Sequence, residues 1–254
     1  MDELPVPQLF MDIYERLPRQ GPGLAECTER ALALMGELPR APQVADIGCG
    51  VGRQTLDLAQ QLGPAAHITA VDFYAPFLAT LRAQAAALGV DEQISTRVGD
   101  MARLDFEPES LDLMWSEGAI YLMGFGEGLK AWRRYLVPKG LLAVSEATWL
   151  RDDVPAPCRN YWDTEYPAMS TAEQNIETLE RLGYRSLGHF TLPVDAWERD
   201  FYVPLRQQLA SLRSEGPLGD DDRAVVASMD EEIRLFESYS AYFGYVFYVM
   251  QRTD

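Results

Sequence analysis

The stretch Val44-Ala45-Asp46-Ile47-Gly48-Cys49-Gly50-Val51-Gly52 carries the reading that sets the fold. Gln43 to Ile47 reads as a short buried-type strand with an acid, Asp46, at its end. Gly48, Gly50 and Gly52 follow where that strand turns into a helix running from about Gly52 to Leu62. Without a Cβ, such a turn lets its backbone come close to a ligand. The helix behind it offers unpaired N–H groups and a positive dipole end to an anionic group. The spacing is G-x-G-x-G, whereas a dinucleotide fingerprint has its third glycine three positions after the second. A nicotinamide-dependent oxidoreductase therefore fits the turn less well, and failure to bind NAD would dispose of that reading.

On either side of this turn the pattern alternates between strands and helices, which points to a parallel sheet with crossover helices. His67 to Val71 is the second expected strand, Ile94 to Val98 the third, Leu111 to Trp115 the fourth and Leu141 to Glu146 the fifth. A sixth runs near Ser186 to Leu192, and Tyr245 to Gln251 is a closing strand rich in aromatic and β-branched residues. Pro76 sits in the first turn of the helix that ends at Gly89, where its missing N–H costs little. Further helices are expected over Glu127 to Leu136 and Thr171 to Leu182. The first 40 residues read as two helices broken by Pro18 to Gly23. Residues 148–170, rich in Pro, Trp and Tyr, and 196–240, read as two helices joined at 214–219, stand outside the alternation. Following the fifth and sixth strands, both can reach the crevice beyond the strand ends and are candidate lids. Asp220 to Asp222 suit a helix start and need no functional explanation.

At 254 residues the chain fits one large α/β domain, or one domain with an elaborate lid, better than two independent cores. Its 22 basic and 39 acidic residues give a formal net charge of −17 and form no basic stripe. Nucleic acid and an anionic membrane surface are poor partners for such a chain. The start, MDELPVPQLF, has acids where a secretory signal carries positive charge, and no segment reaches the about 18 apolar residues of a membrane span. Cys27, Cys49 and Cys158 match neither a zinc pattern nor a disulfide framework. A cytoplasmic location with reduced thiols and no metal is expected.

Each strand after the glycine turn ends in a residue type that a nucleoside cofactor needs. Asp72 can accept both ribose hydroxyl hydrogens while Phe73 offers a ring face to adenine. In Gly99-Asp100-Met101, Asp100 can accept from the adenine amino group and the Met101 N–H can donate to a ring nitrogen. Any one of these acids is equally a helix N-cap, but three at successive strand ends make that improbable for the set. The turn with its acid resembles motif I of class I S-adenosylmethionine (SAM)-dependent methyltransferases. Residues Leu113 to Tyr121, Ala143 to Ala147, Tyr161-Trp162, Tyr166-Pro167, Tyr242 to Tyr248 and Arg19 to Gly23 resemble a group of bacterial small-molecule members, so the similarity spans nearly the whole chain. That resemblance implies a Rossmann-like fold with a seven-stranded, mostly parallel sheet, an antiparallel last strand, and SAM as cofactor with S-adenosylhomocysteine (SAH) as product. It implies little about the acceptor.

Methyl transfer from a sulfonium asks the protein chiefly to hold a nucleophile in line with the methyl carbon and to exclude water. Gly48, Cys49, Gly50 and Gly52 are expected along the methionine portion, with Asp46 near its ammonium. Arg19, Gln20, Gln54 and Thr55 are expected toward its carboxylate, and the backbone near Ser116 is expected to face the same moiety from the fourth strand. The acceptor is expected over Glu117, Tyr121, Glu146 and Trp149, capped by Tyr14, Trp162 and Tyr166. Glu117 is the first candidate base, with hydrogen bonding to the cofactor's ammonium as its other reading. His189 is the second, with a satisfied structural histidine as its other reading. The aromatic residues of the two lid segments suit a flat or apolar acceptor, or through cation–π attraction an amine. Equally, they pack the lids on the core or form a homodimer contact. A SAM-binding sensor or assembly partner without transferase activity shares every one of these motifs. Lids over the crevice favour a small acceptor over a protein surface.

Overall fold

The computed structural model describes residues 7–254, so the first six residues of the acidic start lie outside the described residues. Helices α1 (Gln8–Glu15) and α2 (Ala25–Met35) come first, joined by the turn that carries Arg19 and Gln20. The alternating part then runs β1 (Gln43–Ile47), α3 (Arg53–Leu62), β2 (His67–Asp72), α4 (Ala75–Leu88), β3 (Ile94–Val98), β4 (Leu111–Glu117), α5 (Phe125–Trp132) and β5 (Leu136–Trp149). Beyond it lie α6 (Ala156–Glu165), β6 (Ser170–Thr171), α7 (Ala172–Arg181), β7 (Tyr184–Thr191), α8 (Asp195–Trp197), α9 (Val203–Glu215), α10 (Asp220–Tyr239) and β8 (Phe243–Arg252).

The sheet order is β3-β2-β1-β4-β5-β8-β7, with β6 paired to β5 off this path. Strands β1 to β5 pair in parallel, and β8 runs antiparallel between β5 and β7. This is the expected Rossmann-like arrangement with one addition. The two-residue β6 sits at the end of the segment read as a lid, where Thr148 and Trp149 of β5 meet Ser170 and Thr171. Strand β5 is also longer than its sequence reading, because Pro138-Lys139-Gly140 does not end it. Lys139 takes a left-handed φ of 63°, and the pairing with β4 shifts register between Leu111 and Leu113. The would-be turn is absorbed as a bulge.

Two apolar layers flank the sheet. One face packs Leu56, Leu58 and Ala59 of α3, Leu78 and Leu81 of α4 and Ala31 of α2 on Val44, Ile68, Leu113 and Phe247. The other packs Leu129 and Trp132 of α5 and Leu179 of α7 on Ala45, Met114, Leu142 and Val144. A third core lies apart from both. Ile13 and Leu17, Cys158, Trp197, Leu205, Leu209, Met229 and Phe236 gather around Ala147 and Trp149 at the carboxyl end of β5. The N-terminal helix and the two non-alternating segments thus share one apolar core over that end of the sheet. Between α8 and α9 the chain makes a π-helical turn, Glu198–Tyr202, whose Phe201 and Tyr202 both point into this core.

Candidate active site

The topological switch falls between β1 and β4, since β2 and β3 lie on one side of β1 and β4 and β5 on the other. Ligands of open α/β sheets occupy the crevice beyond the strand ends at this point. Gly48, Gly50 and Gly52 have φ of 70°, 56° and 82°, a left-handed run that only glycine adopts without strain. A Cβ on Gly48 would stand 2.5 Å from the Ala119 side chain, and one on Gly50 would stand 2.3 Å from Gln20 Oε1. Gln20 lies that close because its Oε1 accepts the Val51 N–H at 2.8 Å. The N-terminal turn is therefore built onto the glycine turn.

Asp72, at the end of β2, accepts the Gly50 N–H at 2.8 Å through one carboxylate oxygen and the Tyr74 N–H at 3.0 Å through the other. It is fixed in place, and each oxygen keeps a second lone pair. Burial raises its pKa against those backbone donors. Beside it the Phe73 ring is 44% exposed, which is unusual for a large apolar ring and leaves a face free. Asp100 is exposed and accepts the Ala102 N–H at 2.8 Å, so it caps its own turn. Gly99 bends back against Val71, and the Met101 carbonyl accepts the Trp132 indole N–H at 2.9 Å.

The end of the crevice at the glycine turn is charged and buried. Asp46 is fully buried, with Oδ2 accepting the Thr55 hydroxyl at 2.6 Å and Oδ1 without a partner. Burial pushes its pKa up to about 7, with Thr55 opposing the shift. Buried Arg19 donates to Asp57 at 2.8 Å and to Glu117 at 3.2 Å, and its Nε is left without a partner. Gln54 donates to the Cys49 carbonyl at 3.0 Å, and the Ser116 hydroxyl donates to the Ile47 carbonyl at 2.8 Å. These two bind the glycine turn to α3 and β4 rather than reaching into the crevice with free groups. The fit to a SAM-like molecule is good: one unsatisfied buried acceptor, one unsatisfied buried donor, a fixed ribose-level acid and a bare ring face. Unsatisfied buried polar atoms are rare enough in folded proteins to require an explanation.

Glu117, read first as a base, is fully engaged. Its Oε1 accepts from the Trp115 indole at 2.9 Å and the Thr28 hydroxyl at 3.3 Å, and its Oε2 faces Arg19. Burial raises its pKa, and Arg19 draws it back down. The free carboxylate is Glu146 on β5. It is only 2% exposed, its Oε2 has no partner, and burial pushes its pKa up to about 8. The Tyr166 hydroxyl, buried and without a hydrogen-bond partner, faces it and partly offsets that rise. Tyr121 stacks edge-on against Tyr166 with ring centroids 5.8 Å apart, and the Trp162 indole N–H is likewise buried and unpaired. Tyr14 of α1 stacks on Phe10 and meets Phe201 at its edge.

Trp149 belongs to the cap's core instead, its indole donating to the Met169 carbonyl at 3.1 Å with Arg159 over its ring. His189 is not brought to the crevice. It is exposed on β7, the edge strand, opposite Tyr248. Two residues that the sequence reading passed over do belong here. The Tyr245 ring lies where a Cβ on Gly118 would be, 3.1 Å away, and Glu232 of α10 accepts the Tyr202 hydroxyl at 2.9 Å. Tyr245 stood within a quoted stretch, but only the β8 register shows which of its aromatics faces inward. Glu232 left no local signal. Among the described residues no group of three or more His, Cys, Asp or Glu is placed to hold a metal ion, and no helix is long and apolar enough to cross a membrane.

Comparison with known proteins agrees with this fold. Residues 44–140 match a methyltransferase domain. An uncharacterised protein of Haemophilus influenzae is 29% identical over 138 residues, covering 53% of this chain and 54% of its own length. Methyltransferase GfsG of Streptomyces halstedii is 27% identical over 127 residues, covering 48% of this chain and 45% of its own length. The chain thus aligns with about half the length of these curated relatives. A SAM-dependent methyltransferase of Geobacter sulfurreducens, solved with SAH, superposes with a TM-score of 0.82 over 98% of this chain and 99% of that one, at 19% identity. The fold is that of class I methyltransferases, and residues 44–140 match a methyltransferase domain. S-adenosylmethionine is the methyl donor of that class.

Proposed function

We propose that the chain transfers the methyl group of SAM to a small molecule held between the glycine turn and the helical cap. The observation that carries this reading is the pair of unsatisfied buried atoms at the switch point, Asp46 Oδ1 and Arg19 Nε. A buried acceptor for an ammonium and a buried donor for a carboxylate, both near the glycine turn, suit an α-amino acid terminus. Asp72 would hold the ribose and Phe73 the adenine face. Bound there, SAM supplies an activated methyl group, and the chain's own contribution is placement and dryness.

The acceptor side is Glu146, Tyr121 and Tyr166, with Tyr14 and Trp162 above them. Three buried unpaired polar atoms, Glu146 Oε2, the Tyr166 hydroxyl and Trp162 Nε1, offer hydrogen bonds that the empty fold does not use. A cap with its own core excludes water and leaves no broad open face, which favours a small acceptor over a protein surface. Glu146 replaces Glu117 as the group that takes a proton from the acceptor, because Glu117 is bound to Arg19 and Glu146 Oε2 is free.

The test is transfer of label from radiolabelled SAM into a cytosolic metabolite extract, with parallel titration of SAH and NAD. SAH binding and a labelled product whose formation falls about 100-fold or more in Glu146→Gln would support the reading. SAH binding with no labelled product from any extract would favour a sensor. Absence of SAH binding would overturn the reading altogether.

A further inference from the structure

Around Glu146 and Glu232 the cap assembles an unusual set of side chains. Tyr14, Tyr121, Tyr161, Tyr166 and Tyr245 come from α1, the turn after β4, α6 and its exit, and β8. Two carboxylates stand among them. Glu146 has a free, buried Oε2, and Glu232 has the Tyr202 hydroxyl on its Oε1. Tyr121 and Tyr245 feel the negative charge of both acids, so the carboxylates flank the same rings. The charged groups that act most strongly on Tyr14, Tyr121, Tyr161, Tyr166 and Tyr245 are all acids or other tyrosines. Arg206, over the Tyr202 ring, has both ends taken by Glu198 and Glu237.

Resting on the methyl-transfer reading above, we propose that the acceptor is an amine, which enters as its ammonium between Glu146 and Glu232 and is methylated on nitrogen. Two carboxylates in a dry aromatic chamber are costly when ionised without a counter-charge, and burial holds both in the neutral direction. A cation would restore them. The negative faces of phenol rings attract the same charge, most strongly where water is excluded. An anionic acceptor would meet two acids. A neutral apolar acceptor would offer nothing to the buried Glu146 carboxyl beyond the Tyr166 hydroxyl that faces it, at the penalty that attends a poorly satisfied buried polar group.

The chemistry balances with the groups present. One ammonium N–H gives its proton to the Glu146 carboxylate, freeing the nitrogen lone pair. That pair forms the N–C bond with the methyl carbon as the C–S bond breaks, and the sulfur keeps the bonding electrons. The positive charge passes from sulfonium to the methylated ammonium. The proton on Glu146 then leaves to water when the product departs.

The experiment is calorimetric titration of the full chain, saturated with SAH, with choline and with its uncharged isostere 3,3-dimethylbutan-1-ol. The proposal expects choline to bind at least tenfold tighter. Glu146→Gln and Glu232→Gln should each lower that preference several-fold while SAH affinity stays within twofold. Equal binding of the two probes, a preference for the isostere, or no binding of either would overturn the amine assignment while SAH binding stands. Loss of SAH binding itself would instead overturn the methyl-transfer reading. The choline preference, measured without SAH, would still decide the chamber's chemistry.

Discussion

Arg19 and Glu117 form a buried ion pair, 3.2 Å apart, that fastens the turn after α1 to the carboxyl end of β4. The same guanidinium reaches Asp57 of α3 at 2.8 Å, so one side chain closes three elements around the glycine turn. Removing it leaves Glu117 without a cation and Asp57 with only the more distant Arg53, 3.6 Å away. Arg19→Ala is therefore expected to destabilise the fold by about 3–5 kcal/mol in urea unfolding and to weaken SAH binding. Arg19→Lys should recover only part of either, because an ammonium cannot reach both acids as a planar fork does. A stability loss below about 1 kcal/mol for the alanine variant would show the pair to be of no consequence.

Gly50 offers a sharper test of how the N-terminal turn and the glycine turn fit. Its φ of 56° disfavours any side chain, and a Cβ would run into Gln20 Oε1 at 2.3 Å. Gly50→Ala should lower SAH affinity at least tenfold and cost about 1–3 kcal/mol. Adding Gln20→Ala removes the collision but not the backbone strain. The double variant is then expected to regain part of the lost stability. Measured additivity of the two changes would mean that the contact is not the cause.

The buried acids set a pH dependence that runs opposite to the usual rise from acid pH. Glu146 titrates near 4.5 when unfolded and at about 8 when buried, and Asp46 shifts from 3.8 to about 7. Between those limits the folded chain keeps protons that the unfolded chain has released. Fewer protons on the unfolded side means that stability falls as pH rises. The ligand-free protein should melt lower at pH 8.5 than at pH 5.5. Glu146→Gln should raise its melting point at the higher pH by about 2–6 °C and change it little at the lower. Parallel pH profiles for the two proteins would contradict the burial assigned to Glu146.

His189 gives the complementary negative prediction. It is exposed on the edge strand, away from the switch point. His189→Ala should leave kcat/KM within about twofold of the parent, the scale of an ordinary surface change. A loss of 100-fold would bring it back as a base.

The sequence carried the Rossmann-like half in legible form. Strands β1 to β4 rest on short apolar runs, and their connections on Gly63, Gly89 and Pro76, all local signals. The resemblance supplied the antiparallel β8 as well. What stayed hidden depended on distant partners. Glu117 read as a base because nothing near it in the chain shows that Arg19, 98 residues earlier, has claimed it. Helix α6 was lost in an aromatic-rich stretch without a clean period, and Glu232 lies among the charged residues of an amphipathic helix. Its role comes only from the way α10 is laid against α1.

The place of β8 in the sheet bears on how the chain is made. It lies between β5 and β7 yet follows both in sequence, across the whole of α8 to α10. During synthesis, β5 and β7 emerge with bare hydrogen-bonding edges that no other strand of the sheet can cover. The nascent protein is then most exposed to mispairing over the interval in which residues 192–242 are translated. Shortening the chain before Phe243 would make that vulnerable state permanent.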